Sequence, residues 1–426
     1  MSRNRHPHRF ALARDTATFA RRWPGKLTVA VTLIAIPTTL LLLSLRRGSY
    51  IDDSWMAVLA LAVLGVSYLL SRRLLATVLI AAIVVGLTAV SIVPRPATAH
   101  TGENGILAEL DVVRDLGMLT NFRNIEVAIV DLDATHPVQF GGLGADEAMR
   151  FEVGSLTKAM TGLVIADAVE RGEIRMDVPI ATYLPGLTGS RAGTVTLQEL
   201  VTHTAGYAPF GPTALSRGFW AAPVGRNFFS TDPTELISEV RDGTLDTRGD
   251  YLYSSLGASA AGMAVASAAG MSYPDLMRTR LFEPLGMSST AVENDTNVVD
   301  GGWSKSGIPV EPWILGADAP SGGVVSTAKD LAKLATALLD ETAPGMAALD
   351  STTTAGQADT SIGVFWHSST SATGHIVTWH TGQTGGYSTY FGIDRDARTA
   401  VILLSDVSNP AISDIGIHLL EERNSR

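Results

Sequence analysis

Hydrophobic positions in this chain follow two regimes. Before residue 94 they form unbroken runs, and after it they recur with the periods of helices and strands. The runs Leu27–Leu45, Trp55–Leu70 and Leu74–Val93 contain no charged residue, and a membrane-crossing helix needs about 20 apolar residues. The middle run is short by that measure. The spacers carry Arg46-Arg47-Gly48 and Ser71-Arg72-Arg73 and are too brief to be anything but membrane hairpins. The pattern predicts three transmembrane helices, over 27–45, 55–70 and 74–93. Ahead of them, the leader 1–26 contains Arg3, Arg5, Arg9, Arg14, Arg21, Arg22 and Lys26, an excess that the positive-inside rule keeps cytoplasmic. Three crossings, or one, place residue 101 onward outside the membrane, whereas two would reverse that. A competing reading takes Ala97-Thr98-Ala99 as a cleavage site after a signal-like segment, but the preceding run is longer than a usual signal core. Residues 94–102 open with Pro94-Arg95-Pro96 and read as a stiff linker.

Residues 103–426 are long enough for a sizeable core. Their pattern is mixed: Glu103–Met118 reads as a helix and Glu126–Asp131 as a strand, with Gly141-Gly142 and Gly144 marking a turn region. A long middle section alternates helices with Gly/Pro-rich loops. Ile376–Trp379, Tyr387–Ile393 and Ala400–Ser405 then read as strands, before a last helix from about Ile412. No internal repeat is visible. Charge divides as the hydrophobic pattern does. Residues 1–100 hold 12 basic and 3 acidic residues, against 20 and 39 in the remainder. A domain so acidic would repel phosphate backbones, which excludes a nucleic-acid partner. The absence of cysteine excludes disulfides, thiolate metal sites and a thiol nucleophile.

The first chemical motif is Phe151-Glu152-Val153-Gly154-Ser155-Leu156-Thr157-Lys158, which runs into a helical pattern ending at Gly172. Ser155 thus falls at a helix N-terminus, where backbone N–H groups and the helix dipole can stabilise an oxyanion. Lys158 lies one turn on, on the same side. Its neighbours there, Thr161, Gly162, Ile165 and Val169, include no carboxylate. Burial without a counter-ion lowers a lysine pKa, and a neutral Lys158 could take the proton from Ser155. The plainer alternative for Ser155 is a helix cap. Ser326-Thr327-Ala328-Lys329 has the same spacing and serves as a control. There Thr327 and Asp330 fit a capping pair, and Lys329 points away from the apolar face formed by Leu331, Leu334, Ala335 and Leu338.

The segment Phe151–Pro185 resembles the active-site region of class C β-lactamases and their penicillin-binding-protein, D-peptidase and esterase relatives. The likeness continues in the same order through Leu200–Gly206 (LVTHTAG), Tyr253–Gly257 (YSSLG), Phe282–Met287 (FEPLGM) and His380–Tyr387 (HTGQTGGY). The resemblance implies an α/β (α+β) fold of the β-lactamase/transpeptidase type: an antiparallel sheet flanked by helices beside a helical region, here preceded by transmembrane helices. It implies hydrolysis through an acyl-enzyme on Ser155, with Tyr253 sharing protons with Lys158; Tyr251 fits with a shift of two residues. Where the family has asparagine, this chain has Ser255, whose hydroxyl cannot both donate and accept over an amide's reach. His380-Thr381-Gly382 stands for the family's Lys-Thr-Gly strand, so these residues and Ser255 are the expected substrate-binding set. The backbones of Ser155 and Gln383 are the expected oxyanion hole. A histidine at 380, half-charged near pH 6.5, leads to the expectation that KM for a carboxylate substrate rises with pH.

His203 lies in a turn and is expected to bond backbone, and His375 has no assigned role. No Gly-x-Ser-x-Gly elbow offers a serine to a Ser-His-Asp triad. No cluster has zinc-ligand spacing such as His-Glu-x-x-His, so neither a metal nor a cofactor is expected. The reading is a multi-pass membrane-anchored serine hydrolase with an extracytoplasmic catalytic domain. Its expected substrates are D-amino-acid peptides of the cell wall, esters or β-lactams, peptidase or esterase action being favoured over efficient β-lactam hydrolysis. The alternative is a weakly catalytic penicillin-binding or sensory module of the same fold.

Overall fold

The computed structural model describes residues 97–222, 225–229, 231–293, 299–356, 359–372 and 374–424. The expected basic leader, the three spans and the start of the linker lie outside these residues. Among the described residues no helix is long and apolar enough to cross a membrane.

The strands, in chain order, are β1 (His100–Gly102), β2 (Ile125–Asp131), β3 (Val138–Leu143), β4 (Phe151–Glu152), β5 (Ala291–Val292), β6 (Gly302–Ser304), β7 (Pro309–Val310), β8 (Val324–Ser326), β9 (Thr353–Thr354), β10 (Thr360–Ile362), β11 (His367–Thr370), β12 (Ile376–Gln383), β13 (Ser388–Asp394), β14 (Thr399–Ser405) and β15 (Val407–Ser408). The helices that matter here are α1 (Asn104–Asp115), α2 (Leu156–Glu170), α3 (Leu197–Val201), α4 (Pro212–Ala221), α5 (Pro233–Asp242), α6 (Ser255–Ala269), α7 (Tyr273–Met277), α8 (Ala328–Leu339) and α9 (Ile412–Asn424).

A nine-stranded antiparallel sheet runs in the order β1-β3-β2-β14-β13-β12-β11-β10-β9. Its central strands are buried on both faces because side chains alternate between two apolar layers. In β14, Val401 and Leu403 join the layer under α1 and α9. Ala400, Ile402 and Leu404 of the same strand join the layer under α2 and α8. The terminal helices thus cover one face of the sheet, while α2 lies between the other face and the helices α3 to α7. The antiparallel sheet with flanking helices is the expected architecture for residues 103–426, and most expected elements there fall within two or three residues of their place.

One expectation is corrected. Gly141 and Gly142 do not turn the chain but lie inside β3. A Cβ added at Gly141 would stand 2.6 Å from Ile106 Cγ2, so the glycine is a packing choice that lets α1 rest on the strand.

Helix α2 is buried along 156–168, which accounts for its mostly apolar sequence; its two buried ionisable residues are Lys158 and Asp167, and Asp167 is paired with Arg171 and Arg280. A neighbouring segment passes close at Gly162, where an added Cβ would come within 2.1 Å of the Val364 carbonyl oxygen. Helix propensity alone favours Gly162→Ala by up to ~1 kcal/mol. Packing reverses that sign, because a backbone carbonyl cannot yield as a flexible side chain can. Gly162→Ala is expected to lower the thermal midpoint, by an overpacking cost of about 1–3 kcal/mol; a raised midpoint would contradict this packing.

Candidate active site

Strand β4 ends where Val153 and Gly154 turn the chain into α2, and Gly154 takes φ +51°. The N–H groups of Leu156, Thr157 and Lys158 bond the carbonyls of Val153, Gly154 and Ser155. They are therefore spent within the helix, and the Ser155 N–H stands ahead of them at its open end. Ser155 occupies the cap position, yet its side chain makes no capping bond. Its Oγ lies 3.0 Å from Lys158 Nζ instead.

Lys158 is fully buried. Its Nζ donates to the Ser321 carbonyl at 2.5 Å and sits 5.0 Å from the centre of the Tyr253 ring. Among the described residues it makes no ion pair. The nearest carboxylate influence is Asp318, whose Oδ2 accepts from Thr231 at 2.5 Å and whose own pKa is raised by burial. Desolvation dominates over Asp318 and pushes the Lys158 amine down to about 7. The control motif behaves differently: Thr327 caps α8 through the Asp330 N–H, Ser326 bonds Thr290, and Lys329 is exposed.

The tyrosine segment is held by His203, which adopts φ +58° in its turn. The His203 carbonyl accepts from the Leu252 N–H at 2.7 Å, and its Nδ1 accepts from the Ser254 N–H at 3.2 Å. Tyr253 lies between these two anchors, its ring 4.4 Å from the imidazole. His203 is thus bonded to backbone, as its turn suggested. Tyr251 faces elsewhere, its hydroxyl 3.0 Å from His367 Nε2. Ser254 caps α6 by accepting from the Gly257 N–H, and Ser255, its first residue, donates its N–H to the Pro209 carbonyl.

Strand β12 closes the other side. A Cβ on Gly154 would meet Gln383 N at 2.6 Å, and one on Gly382 would meet the Val153 oxygen at 1.9 Å. Only bare backbone permits this approach, and it brings the Gln383 main chain beside Ser155. Thr381 is half-buried on the same strand. His380 does not meet its expectation. It is buried, donates Nδ1–H to the Thr381 carbonyl at 2.6 Å, and lies 5.5 Å from the His367 ring. Burial first, then His367 and Lys158, hold its pKa well below 6.5. His380 is therefore neutral near pH 7, and the pH-dependent KM expected from its titration does not follow. His375 lies apart, 2.8 Å from Asp394 Oδ2 at the start of β12.

Two participants escaped sequence reasoning. Glu152 Oε1 accepts from the Trp313 N–H at 2.6 Å, and its carboxyl also bonds Thr384, next to Gln383. One buried acid thus ties the strand before the serine to the Trp313 loop and to the β12–β13 hairpin. Burial, reinforced by Glu293, raises it to about 8. A lone acid beside Phe151 and Val153 was the available signal. His367 is the other, stacked on Trp379 at 4.9 Å and lowered to about 4 by burial.

With this geometry in place, the comparisons are consistent. The Beta-lactamase family matches residues 120–419, and the chain belongs to that family, whose members include serine β-lactamases and penicillin-binding proteins. It is 30% identical to a β-lactamase of Escherichia coli (strain K12) over 43% of this chain and 46% of that protein. It is 27% identical to penicillin-binding protein 4 of Amycolatopsis lactamdurans over 64% of this chain and 76% of the relative. The chain thus spans about half the length of the first relative and three quarters of the second. Among solved structures, a class C β-lactamase superposes with TM-score 0.64 at 18% identity, covering 75% of this chain and 96% of the other. A β-lactamase/D-alanine carboxypeptidase from Pseudomonas syringae gives 0.62 at 17%, covering 75% and 99%. These structural likenesses establish the fold.

The arrangement separates the two tyrosines. Tyr253→Phe is expected to lower kcat/KM for a chromogenic ester by roughly 10²- to 10⁴-fold, the range for losing a positioned proton donor. Tyr251→Phe, bonded to His367 away from Lys158, should keep most activity. The reverse order would move the proton-transfer role to Tyr251.

Proposed function

We propose that the chain is a membrane-anchored serine hydrolase that acts through an acyl-enzyme on Ser155. The single observation that carries this reading is a buried lysine amine, lowered to about 7 and without an ion-pair partner among the described residues, 3.0 Å from the serine hydroxyl. In the proposed reaction the neutral Lys158 accepts the Ser155 proton as Oγ bonds to the substrate carbonyl carbon. The N–H groups of Ser155 and Gln383 hold the resulting oxyanion. Collapse breaks the bond to the leaving group, which takes a proton through Tyr253 and Lys158. Water then adds to the acyl-enzyme by the same route and restores Ser155.

His380 bears on the substrate class. A neutral imidazole there, in place of a lysine ammonium, cannot form an ion pair with a substrate carboxylate. Together with the shorter side chain of Ser255, this weighs against efficient β-lactam turnover and favours esters and D-amino-acid peptide bonds that are not held through a terminal carboxylate. The apolar runs over 27–45, 55–70 and 74–93 support anchoring, with the catalytic domain on the extracytoplasmic side.

The test is to follow purified full-length chain with a chromogenic ester and a fluorescent penicillin. Steady ester release is expected, abolished in Ser155→Ala and in Lys158→Met. Release should also fall as pH drops below about 7, because protonation removes the base. Stable penicillin labelling without any product release would instead favour a binding or sensory module. Turnover intact in Lys158→Met would overturn the mechanism.

A further inference from the structure

His203 fills its turn unfavourably on two counts. It is buried at φ +58°, a conformation that residues other than glycine adopt only under strain. Its Nε2 has no hydrogen-bond partner among the described residues, and a buried polar atom left in that state lowers stability. Backbone strain persists where the surrounding structure over-determines a functional geometry, so the question is which geometry His203 fixes.

The answer lies in five bonds between residues 203–209 and 249–255. Gly249 donates its N–H to the Thr204 carbonyl at 2.8 Å, Leu252 to the His203 carbonyl at 2.7 Å and Ser255 to the Pro209 carbonyl at 2.8 Å. The Ser254 hydroxyl donates to the Ala208 carbonyl at 2.7 Å. All four acceptors are main chain and do not depend on which side chain stands at 203. The fifth bond does, because the Ser254 N–H donates to His203 Nδ1 at 3.2 Å. Tyr253 therefore has both of its chain neighbours bonded to one residue, and its ring lies 4.4 Å from that residue's imidazole and 5.0 Å from Lys158 Nζ.

The platform under this contact is stiff. The turn leaves α3, which opens with a capping box between Thr196 and Glu199. Arg248 grips Glu199 with Nε on Oε1 at 2.6 Å and Nη2 on Oε2 at 2.8 Å. Accepting at Nδ1 places the one proton of a neutral imidazole on Nε2. Burial first, then Lys158, His367 and His380, keep the ring neutral by holding its pKa well below 6.5.

We propose that His203 is the positioning residue for the Tyr253 phenol and acts through the lone pair on Nδ1. This rests on the reading of Ser155, Lys158 and Tyr253 as the acyl-transfer machinery. The Nδ1 contact fixes the backbone on the C-terminal side of Tyr253, as the His203 carbonyl fixes it on the other, so the phenol stays in register with the Lys158 amine.

Three substitutions separate this role from filling the turn. His203→Asn keeps an acceptor, since its Oδ1 is attached where Nδ1 is. His203→Gln carries its oxygen one bond further out, and His203→Gly relieves the φ strain but offers no acceptor. With a chromogenic ester, Gln and Gly are expected to lower kcat roughly ten- to hundredfold, the effect of a small misplacement, with KM within about twofold. Asn should stay within about threefold of the unsubstituted chain, because it retains the bond. In a Tyr253→Phe chain, adding His203→Gln should lower kcat by less than about twofold, because residues that act as one unit are not additive. Thermal unfolding shows which variants are folded; if Gly is not, the comparison of Asn with Gln decides. Asn as slow as Gln, a full additional loss in the Tyr253→Phe chain, or a Gln variant as active as the unsubstituted chain would each overturn the proposal while leaving the acyl-enzyme reading intact. Turnover undiminished in Ser155→Ala would remove that reading, and the inference with it.

Discussion

The structure is organised around the cost of placing one amine out of water. Taking an ammonium into a protein interior without an anion is unfavourable by several kcal/mol, so the group neutralises instead. Lys158 meets that condition because its surroundings are polar but uncharged: the Ser155 hydroxyl, the Ser321 carbonyl and the face of Tyr253. The buried carboxylate of α2, Asp167, is paired with Arg171 and Arg280, and the helix's threonines are satisfied by neutral groups. Thr161 bonds Tyr273 and Thr157 accepts from the Val324 N–H. Asp318, the one acid among the described residues that acts on the amine, is engaged by Thr231. An acid placed directly on the amine would restore its charge and remove the base.

The wider site follows the same logic of neutral groups held by backbone. His203 and His380 are both buried, with pKa values held well down by desolvation. His203 clasps the tyrosine segment on both sides of Tyr253. Glu152, raised to about 8, links three segments that meet at the serine, and much of it is protonated at neutral pH. Around the reacting atoms this chain replaces the ion pairs common in polar sites with desolvation and main-chain geometry. That choice suits a reaction whose charge develops only in the transition state.

The fold and the core of the site were legible where a signal is local. The period of β14 and the spacing of Ser155 and Lys158 could be read directly, as could the capped second copy at Ser326–Lys329. Gly141 and Gly142 were misread because a glycine that admits Ile106 and one that turns the chain look alike without the partner across the sheet. His380 was misjudged for a related reason. The sequence names the imidazole, but its protonation depends on burial by β11, the Tyr253 segment and α2, which are distant in the chain. Glu152 escaped because its partners, Trp313 and Thr384, lie 161 and 232 residues further on. Long-range burial therefore set what local pattern could not: which polar groups are charged.

The most direct measurement is the titration of the Lys158 amine itself. The chain has five lysines, Lys26, Lys158, Lys305, Lys329 and Lys333, so NMR of lysine labelled with ¹³C at Cε resolves few signals, and Lys158→Met assigns the one of interest. The account predicts that this signal titrates near 7. A Lys158 signal that titrates near the ordinary lysine value of about 10.4 would show a charged amine beside Ser155, and the proposed base would not exist.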